Sequence, residues 1–509
     1  MERGEEIRQN RIKKKETLEN SGFPAYPEST KRTHMIRECL SSFDDLMEEE
    51  TEVVLTGRVR SLREHGKLTF FTIEDGTGKI QAFLSESNIG KEGYKFFLQS
   101  FDMGDFVEIR GPLFHTKRGE RTLRVADYKM LTKSILPLPE KWHGLQSMEE
   151  RYRKRYLDLI FNEKQKEAFI KRSEIIKKLR SFLEKKDFLE VETPVLQPIY
   201  GGTAATPFKT HHNTLDMELY LRIAPELYLK RLLVGGFERV FEFARCFRNE
   251  GIDRSHNPEF TLLEFYWAYA DYKDMMRFTE EMLSSVIEEV FGSLEIDYGE
   301  QKISFSTPFE RIEFSEVIKK ETGLNIEEMN KEALKDEAEN RGLEIALGAG
   351  KAEICDEIFK KECREKLVQP TFLIHHPEGF QPLAKHKSGD DTKLSTFQLY
   401  IAGWEVVNAF SELNDPFLQR ERFKEQEKMK EEGFEEAQRM DEDFLEALEY
   451  GMPPAAGFGM GIDRLCAILT NSYSLREIIL FPTMRKRAKG ERNIELKGKG
   501  ENEEKENDS

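Results

Sequence analysis

Apolar residues recur at three- and four-residue spacing between Asn162 and Asp187. Phe169, Ile170, Ile176, Leu179, Phe182 and Leu183 share one face, which predicts a long helix. The run FLEVETPV (Phe188–Val195) follows as a strand that stops at a proline. Tyr220–Ala224 reads as another strand. Pro225-Glu226 then opens a helix, ELYLKRLLVGG, with proline near its start and Gly235 near its end. Glu238–Phe247 is apolar and aromatic-rich, and it breaks at Arg248-Asn249-Glu250-Gly251. The apolar pattern resumes from Phe260 to Tyr269, so the stretch predicts a long antiparallel hairpin. Tyr272–Phe291 is helical. Gln369–Ile374 and Thr396–Gly403 are strand-like, and Trp404–Glu412 continues the second of these. Glu421–Glu449 reads as a charged helical stretch, and Ala455–Leu469 as a Gly-rich run feeding an apolar helix.

Upstream the pattern is different. Residues 52–135 hold five short strand-like runs punctuated by glycine, with a helix-like stretch, Gly90–Phe101, after the third. That arrangement predicts an OB-fold, a small β-barrel whose face commonly binds oligonucleotides. An N-terminal extension, 1–51, starts with a charged helix. Its Arg8, Arg11, Lys13, Lys14 and Lys15 would lie along a phosphate backbone or form a solvated face. A Pro-punctuated linker, 136–150, leads to a second domain, 151–487. Within that domain, 300–366 reads as a peripheral insertion rich in Lys and Glu, with no visible chemistry. The charged tail 488–509 is expected to be disordered.

The 509 residues are enough for more than one domain. With 34% charged and 38% apolar residues and no long apolar run, no membrane span is expected. The N-terminus lacks the apolar segment of a secretory signal. Five scattered cysteines without a CxxC pair predict reduced thiols in the cytoplasm and no zinc site. A net charge of −17 means that any nucleic-acid surface must be a local patch.

The hairpin carries the candidate chemistry. Arg245, Arg248 and Glu250 lie on the way out, His256 at the tip, and Glu259 and Glu264 on the way back. Charges carried into an apolar sheet need partners. A nucleotide polyphosphate on the cations, with an amine on the acids, would supply them; a solvated hairpin with surface ion pairs is the plainer reading. Glu226, on the first turn of its helix, would bind a ligand amine or simply complement the helix dipole. Gly201-Gly202-Thr203 is a tight turn that lets a ligand or a strand approach closely. Arg464, on the first turn of an apolar helix, is hard to assign to packing alone. On the barrel, Arg58, Arg60, Arg63, Phe70 and Gln81 are candidates for the exposed face. Either Phe70 or Phe71 must be core, since neighbours on a strand point to opposite sides.

These segments resemble a known family. FRNEGIDRSHNPEF is similar to motif 2 of the class II aminoacyl-tRNA synthetases, GFGMGIDRL to motif 3, and the 162–187 helix with FLEVETP to motif 1, the dimer-forming element. RYRKRYLDLI, LRIAPELYLKRLLVGGFERVFE, EFYWAYADY, FSELNDP and ALEYGMPP resemble the lysyl-tRNA synthetases in particular, and the likeness runs from about residue 52 to 487. It implies an α+β multidomain chain: an OB-fold that reads the anticodon, then a catalytic domain built on an antiparallel sheet flanked by helices. It also implies lysine-tRNA ligase activity, with ATP and L-lysine as substrates, Mg²⁺ as cofactor, tRNA(Lys) as partner, and a cytoplasmic homodimer.

By the same resemblance, Arg248, Glu250 and Arg464 are the catalytic set. ATP contacts Arg248, Glu250, His256, Asn257, Phe260, Glu405 and Arg464, with Phe260 and Arg464 on opposite faces of adenine. Lysine contacts Gly202, Glu226, Glu264, Tyr266, Asn408 and Glu412. Glu405 holds the metal, and Gln398 and Glu412 complete the metal candidates. Arg63, Phe70 and Gln81 fall at the anticodon-reading positions. The chain departs from the common pattern at Gln398, where TFQLY replaces a phrase like RFELF and so removes a carboxylate. It departs also at Trp404 and Gln381. Two other readings are weighed. Enzymes of this core that attach lysine to a translation factor lack the OB domain, which this chain has. A catalytically inactive RNA-binding relative is favoured by Gln398 alone.

Overall fold

The computed structural model describes residues 2–139, 147–434 and 437–485. The chain divides into two compact units, 1–146 with 485–509, and 147–484. The expected tail 488–509 and the central part of the expected linker lie outside the described residues.

In the first unit, α1 (Glu2–Asn20) is the expected N-terminal helix. Arg11 is buried and donates to the carbonyls of Met103, Ser134 and Leu136 at 2.9–3.0 Å, and Lys14 pairs with Asp102 at 2.7 Å. Two of its cations thus hold the helix in place instead of facing a phosphate backbone. The barrel has seven strands: β1 (Val53–His65), β2 (Leu68–Glu74), β3 (Lys79–Ser85), β4 (Phe106–Gly111), β5 (Leu113–His115), β6 (Arg121–Arg124) and β7 (Asp127–Thr132). Their order is β5-β6-β3-β2-β1-β4-β7, and α2 (Lys91–Ser100) is the inserted helix.

Two of the five expected runs are each cut in two, because the barrel turns corners there. At Gly111-Pro112 the proline has no N–H to donate, and an added Cβ on Gly111 would lie 1.9 Å from the Arg124 carbonyl oxygen. Beyond β6 the chain changes partners: Val125 N–H donates to Phe83 and Ala126 N–H to Arg110. Inward-facing Phe71, Ile73, Ile80, Ala82, Val107 and Ile109 fill the interior.

The second unit is built on an eight-stranded sheet: β8 (Leu189–Glu190), β9 (Arg239–Phe247), β10 (Glu259–Ala268), β11 (Glu310–Glu313), β12 (Thr371–Ile374), β13 (Thr396–Ile401), β14 (Trp404–Ser411) and β15 (Ala455–Gly461). The order is β11-β12-β13-β14-β15-β10-β9-β8. The two outermost pairs are parallel and the interior pairs antiparallel. The helices that matter here are α3 (Glu163–Lys185), α4 (Glu226–Val234), α5 (Tyr272–Phe291), α6 (Lys351–Glu362) and α7 (Ile462–Leu469). Helices α3, α5 and α7 pack Leu179, Leu183, Met282, Leu283, Leu465 and Ile468 against Phe265, Leu399 and Phe458 of the sheet.

Four stretches differ from expectation. FLEVETPV is a strand only at Leu189–Glu190: past the Val191 N–H bond to Phe241, Thr193 donates from its N–H and hydroxyl to the Glu242 carboxylate instead of to a neighbouring strand. The Gly-rich run 455–461 is an interior strand, not a mere lead-in to a helix. The 421–449 stretch is two helices, Pro416–Glu431 and Glu442–Glu449. Residues 300–366, read as peripheral, contribute β11 to the edge of the main sheet and α6 to the wall of its cavity.

Candidate active site

Strand alternation divides the sheet. Leu263, Phe265, Phe397, Leu399, Val407, Ala409, Phe458 and Met460 enter the helix-covered core. Their neighbours Glu264, Tyr266, Gln398, Asn408, Gly457 and Gly459 face the other way, onto a cavity of about 530 Å³. The size suits a small-molecule site. Register places Glu264 opposite Gly459, and Gly459 opposite Asn408.

One end of the cavity is cationic. The hairpin pairs Arg239 with Trp267 through to Phe247 with Glu259, and the loop beyond it carries Arg248, Glu250, His256 and Asn257, all on the cavity wall. The loop is held by Arg248 N–H to Pro258 (2.9 Å), Asn249 N–H to Thr206 (2.8 Å), and Asp253, whose carboxylate accepts from the His256 N–H (2.8 Å). Asp253 also lies 2.9 Å from His256 Nδ1, leaving Nε2 as acceptor for Arg464 Nη2 at 3.2 Å. Arg464 is delivered by α7. Its neighbour Asp463 anchors the helix by accepting from Thr261 N–H of β10 (2.9 Å) and from Arg172 of α3. Arg464 Nη1 donates to the Glu405 carbonyl at 2.9 Å, with the Glu405 carboxylate 4.0 Å away.

Arg248 stands 5.1 Å from the centroid of Phe260, on a ring that the resemblance gave to adenine, and its buried Nε has no hydrogen-bond partner among the described residues. Asn257 Oδ1 and Asn408 Oδ1 are likewise buried and unpartnered. Orphaned polar atoms converging on one cavity mark places where a ligand supplies the missing hydrogen bonds.

The other end is acidic. Gly202 (φ +95°) lies against α4: an added Cβ would meet the Glu226 Cβ at 2.9 Å and the Ala224 Cβ at 3.2 Å. Glu226, Glu264 and Tyr266 line the cavity, and Tyr266 donates its hydroxyl to Glu264 at 3.2 Å. Glu412 stands behind the wall, fully shielded, next to Gly457 and 2.6 Å from Lys230 Nζ. That placement groups it through Lys230 with Glu226, and not with Glu405.

Burial raises the pKa of Glu226 and lifts Glu264 well above the carboxylate range, where repulsion from Glu226 adds to it. Burial, only partly offset by Lys230, pushes Glu412 up to about 8. A carboxyl whose pKa is raised in the folded protein ionises, and gives up stability, as pH rises through that value. A bound ammonium favours the ionised form. Affinity for an ammonium ligand at this end is therefore expected to tighten as pH rises from about 6.5 to about 8.5, while the unliganded protein loses stability over the same range. Thermal melts with and without lysine across that window would show the gap widening; a constant gap would refute it.

For Mg²⁺, Glu405 offers a half-exposed carboxylate beside Arg464. Gln398 does not compensate for its missing charge: its Oε1 already accepts from His376 Nε2 (3.1 Å) and the Tyr400 hydroxyl (3.3 Å). Burial pulls the His376 pKa down to about 3, so the ring is neutral there. Among the described residues no group of three or more His, Cys, Asp and Glu is placed to hold a metal. The donors fit a Mg²⁺ carried mainly by nucleotide phosphates and one carboxylate. Of the other departures, Trp404 is buried with Arg254 5.6 Å over its ring, and Gln381 lines the cavity.

Sequence reasoning missed α6 altogether. Asp356 and Lys360 line the cavity, with Lys360 Nζ 2.7 Å from Asp356 and 2.9 Å from Glu357. Charges at helical spacing read the same on a solvated face, so the sequence carried no signal for them.

On the barrel, Phe71 is core and Phe70 lies on the opposite face, cross-strand from Arg63. Phe70 meets Phe83 at 5.1 Å with the rings tilted, and Phe83 meets Phe114 edge-on at 5.9 Å, with Arg124 over the Phe114 ring. Gln81 lies on the same face, its amide donating to the Thr122 hydroxyl at 2.9 Å. Phe83, Phe114 and Arg124 extend the expected surface into an aromatic and cationic patch of the kind that stacks single-stranded bases.

The comparisons agree with this division. A family model described as tRNA synthetases class II (D, K and N) matches residues 147–485, and one described as an OB-fold nucleic acid binding domain matches 53–131. The chain is 49% identical over 485 residues to a lysine–tRNA ligase of Pelotomaculum thermopropionicum, covering 95% of both chains. It is 48% identical over 483 residues to that of Carboxydothermus hydrogenoformans, covering 94% of this chain and 97% of the relative. The lysine–tRNA ligase of Aquifex aeolicus is 51% identical over 435 residues, 85% of this chain and 73% of its own. With an OB-fold ahead of an antiparallel sheet that carries both ends of the cavity, the chain belongs to the class II tRNA synthetases, in their lysine–tRNA ligase family.

Proposed function

We propose that the cavity is where this enzyme joins L-lysine to ATP, releasing pyrophosphate, and then passes the lysyl group to the 3′ end of tRNA(Lys). The observation that carries this reading is the union of a cationic end (Arg248 and Arg464, with His256 beside them) and an acidic end (Glu226, Glu264) on one cavity. In the first step a lysine carboxylate oxygen bonds to the α-phosphorus and the bond to the β-phosphate oxygen breaks. The carboxylate is already ionised, so the step needs no general base. It needs alignment and cancellation of charge on the phosphorus.

Arg248 is assigned the α-phosphate and the substrate carboxylate, the latter shared with Asn408. Arg464 and His256 are assigned the outer phosphates, Phe260 the adenine ring, and Glu250 and Asn257 the adenine end. Gly202 and Glu226 receive the α-amine; Glu264, Tyr266 and Glu412 receive the ε-ammonium. Glu226 and Glu412 share one resident cation, Lys230, and Glu264 has none, so an uncharged competitor leaves acids unpaired and is rejected strongly. Mg²⁺, held by Glu405 and the phosphates, would supply further charge neutralisation at the phosphoryl oxygens. In the second step the terminal ribose hydroxyl attacks the adenylate carbonyl and AMP leaves.

Replacing Gln398 with Glu restores a carboxylate beside Glu405 and is expected to lower the Mg²⁺ concentration that gives half-maximal activity. An unchanged Mg²⁺ response would mean that position 398 does not face the metal.

The barrel patch of Arg63, Phe70 and Gln81 is assigned the anticodon. Phe70→Ala is expected to slow tRNA charging by roughly tenfold, the loss of one stacked base, while sparing amino-acid-dependent ATP–pyrophosphate exchange. Equal losses in the two assays would make Phe70 structural. We assign the enzyme to the cytoplasm, as a homodimer. The five cysteines are buried and unbonded, and among the described residues no helix is long and apolar enough to cross a membrane. Exposed Ile170 of α3 and Leu480 offer an apolar surface beside the dimer-forming motif. The test of the whole reading is ATP–pyrophosphate exchange with each standard amino acid in turn. Exchange with lysine alone supports it; no exchange with lysine refutes it.

A further inference from the structure

Lys230 sits one turn beyond Glu226 on α4. Its buried ammonium lies 2.6 Å from Glu226 Oε1 and 2.6 Å from Glu412 Oε2. The rings of Phe410 and Phe444, at 5.5 and 5.9 Å, enclose it. Each acid therefore commits one oxygen to Lys230. The other oxygen of each lies against a glycine of the cavity wall. A Cβ added at Gly202 would stand 3.5 Å from Glu226 Oε2, and one at Gly457 would stand 2.0 Å from Glu412 Oε1. Both Glu412 oxygens are shielded from solvent and lack a hydrogen-bond partner among the described residues; Oε2 meets Lys230 as an ion pair, and Oε1 has no cation of its own. A buried carboxylate oxygen in that state lacks a donor.

We propose that Lys230 is a positioning residue for the amino-acid substrate: its ammonium ties Glu226 to Glu412 at a set separation, so that their remaining oxygens receive the two ammonium groups of one lysine. This rests on the lysine-activating reading of the cavity. Three carboxylates, those of Glu226, Glu264 and Glu412, are buried at this end of the site, and one resident cation, Lys230, serves two of them. The negative charge left over calls for the positive charges that lysine brings. Helix α4 and strand β14 reach this point from distant parts of the chain, and Lys230 is the direct link between their acids. It is not among the residues that line the cavity, so it acts through Glu226 and Glu412. A shorter diamino acid, ornithine, would satisfy one acid and leave the other unpaired. The link thus sets the length of side chain that is accepted.

The test is Lys230→Met, assayed by ATP–pyrophosphate exchange with lysine, ornithine and ATP each varied. The expected result is a lysine KM raised roughly tenfold or more, an unchanged ATP KM, and a weaker preference for lysine over ornithine. A purely structural role would not split the two KM values in this way. A lysine KM within about twofold of the parent, or lysine and ATP KM values rising together, overturns the proposal. Absence of lysine-dependent exchange in the unaltered enzyme instead overturns the underlying reading. If Lys230→Met alone does not fold, Glu412→Gln is compared with the double variant Lys230→Met/Glu412→Gln. A further severalfold rise in lysine KM at constant ATP KM supports the link through Glu226, and equal values overturn it.

Discussion

Replacing Arg248 with alanine is expected to slow lysyl-adenylate formation by on the order of 10³-fold or more. The chain's other cations at this end are committed elsewhere: Arg464 donates to the Glu405 carbonyl and meets His256, and His256 leans on Asp253. Arg248 instead has a buried Nε with no hydrogen-bond partner among the described residues, and a guanidinium held over Phe260 at 5.1 Å. It is poised to trade a cation–π contact for a phosphoryl oxygen. The loss should fall on kcat in single-turnover adenylate formation, since the charge it cancels develops at the phosphorus. The ring beneath it keeps its cross-strand partner Cys246, so the hairpin should persist. A rate within about tenfold of the parent would remove Arg248 from the α-phosphate.

Gly457→Ala is expected to be almost as damaging, at the opposite end of the cavity. The residue is in β15, flanked by Phe410 of β14 and Tyr266 of β10. Its missing side chain is occupied space: a Cβ would lie 2.0 Å from Glu412 Oε1 and 2.6 Å from Tyr266 Cε1. Neither neighbour can retreat, since Glu412 is held by Lys230 and Tyr266 is buried beneath Glu264. Overpacking of this kind costs about 1–3 kcal/mol, and here the strain would displace the acid assigned to the ε-ammonium. We expect lysine KM to rise by roughly tenfold to a hundredfold, with ATP KM nearly unchanged. Similar rises in both would mean that the substitution disturbs the sheet and not the amine pocket.

Much of this was legible without coordinates, for reasons that differ by element. The hairpin, α3 and α5 are long patterned segments, and the barrel strands are short apolar runs marked off by glycine, so pattern alone predicts most of them. The turn at Gly202 and the Pro225 start of α4 follow from backbone chemistry that few other residues permit. The motif phrases reached the family, and with it the antiparallel sheet behind an OB-fold. The sequence therefore determined the elements, their order, and most of the side chains that the structure brings onto one cavity.

Only the tertiary structure decided who faces whom. Charges at helical spacing look alike whether they meet water or a ligand, so Asp356 and Lys360 of α6 passed unnoticed within a stretch read as a peripheral insertion, and only the fold turns them onto the cavity. Gly457 read only as part of a Gly-rich lead-in to a helix, because close approach is a property of the neighbours, Glu412 and Tyr266, and not of the glycine. Lys230 and Glu412 are far apart in the chain, and no local pattern encodes their 2.6 Å contact. The loss of carboxylate at Gln398 was plain in the sequence. That its amide oxygen is already taken by His376 and Tyr400 was set by strand register and burial, which exist only once the sheet is assembled.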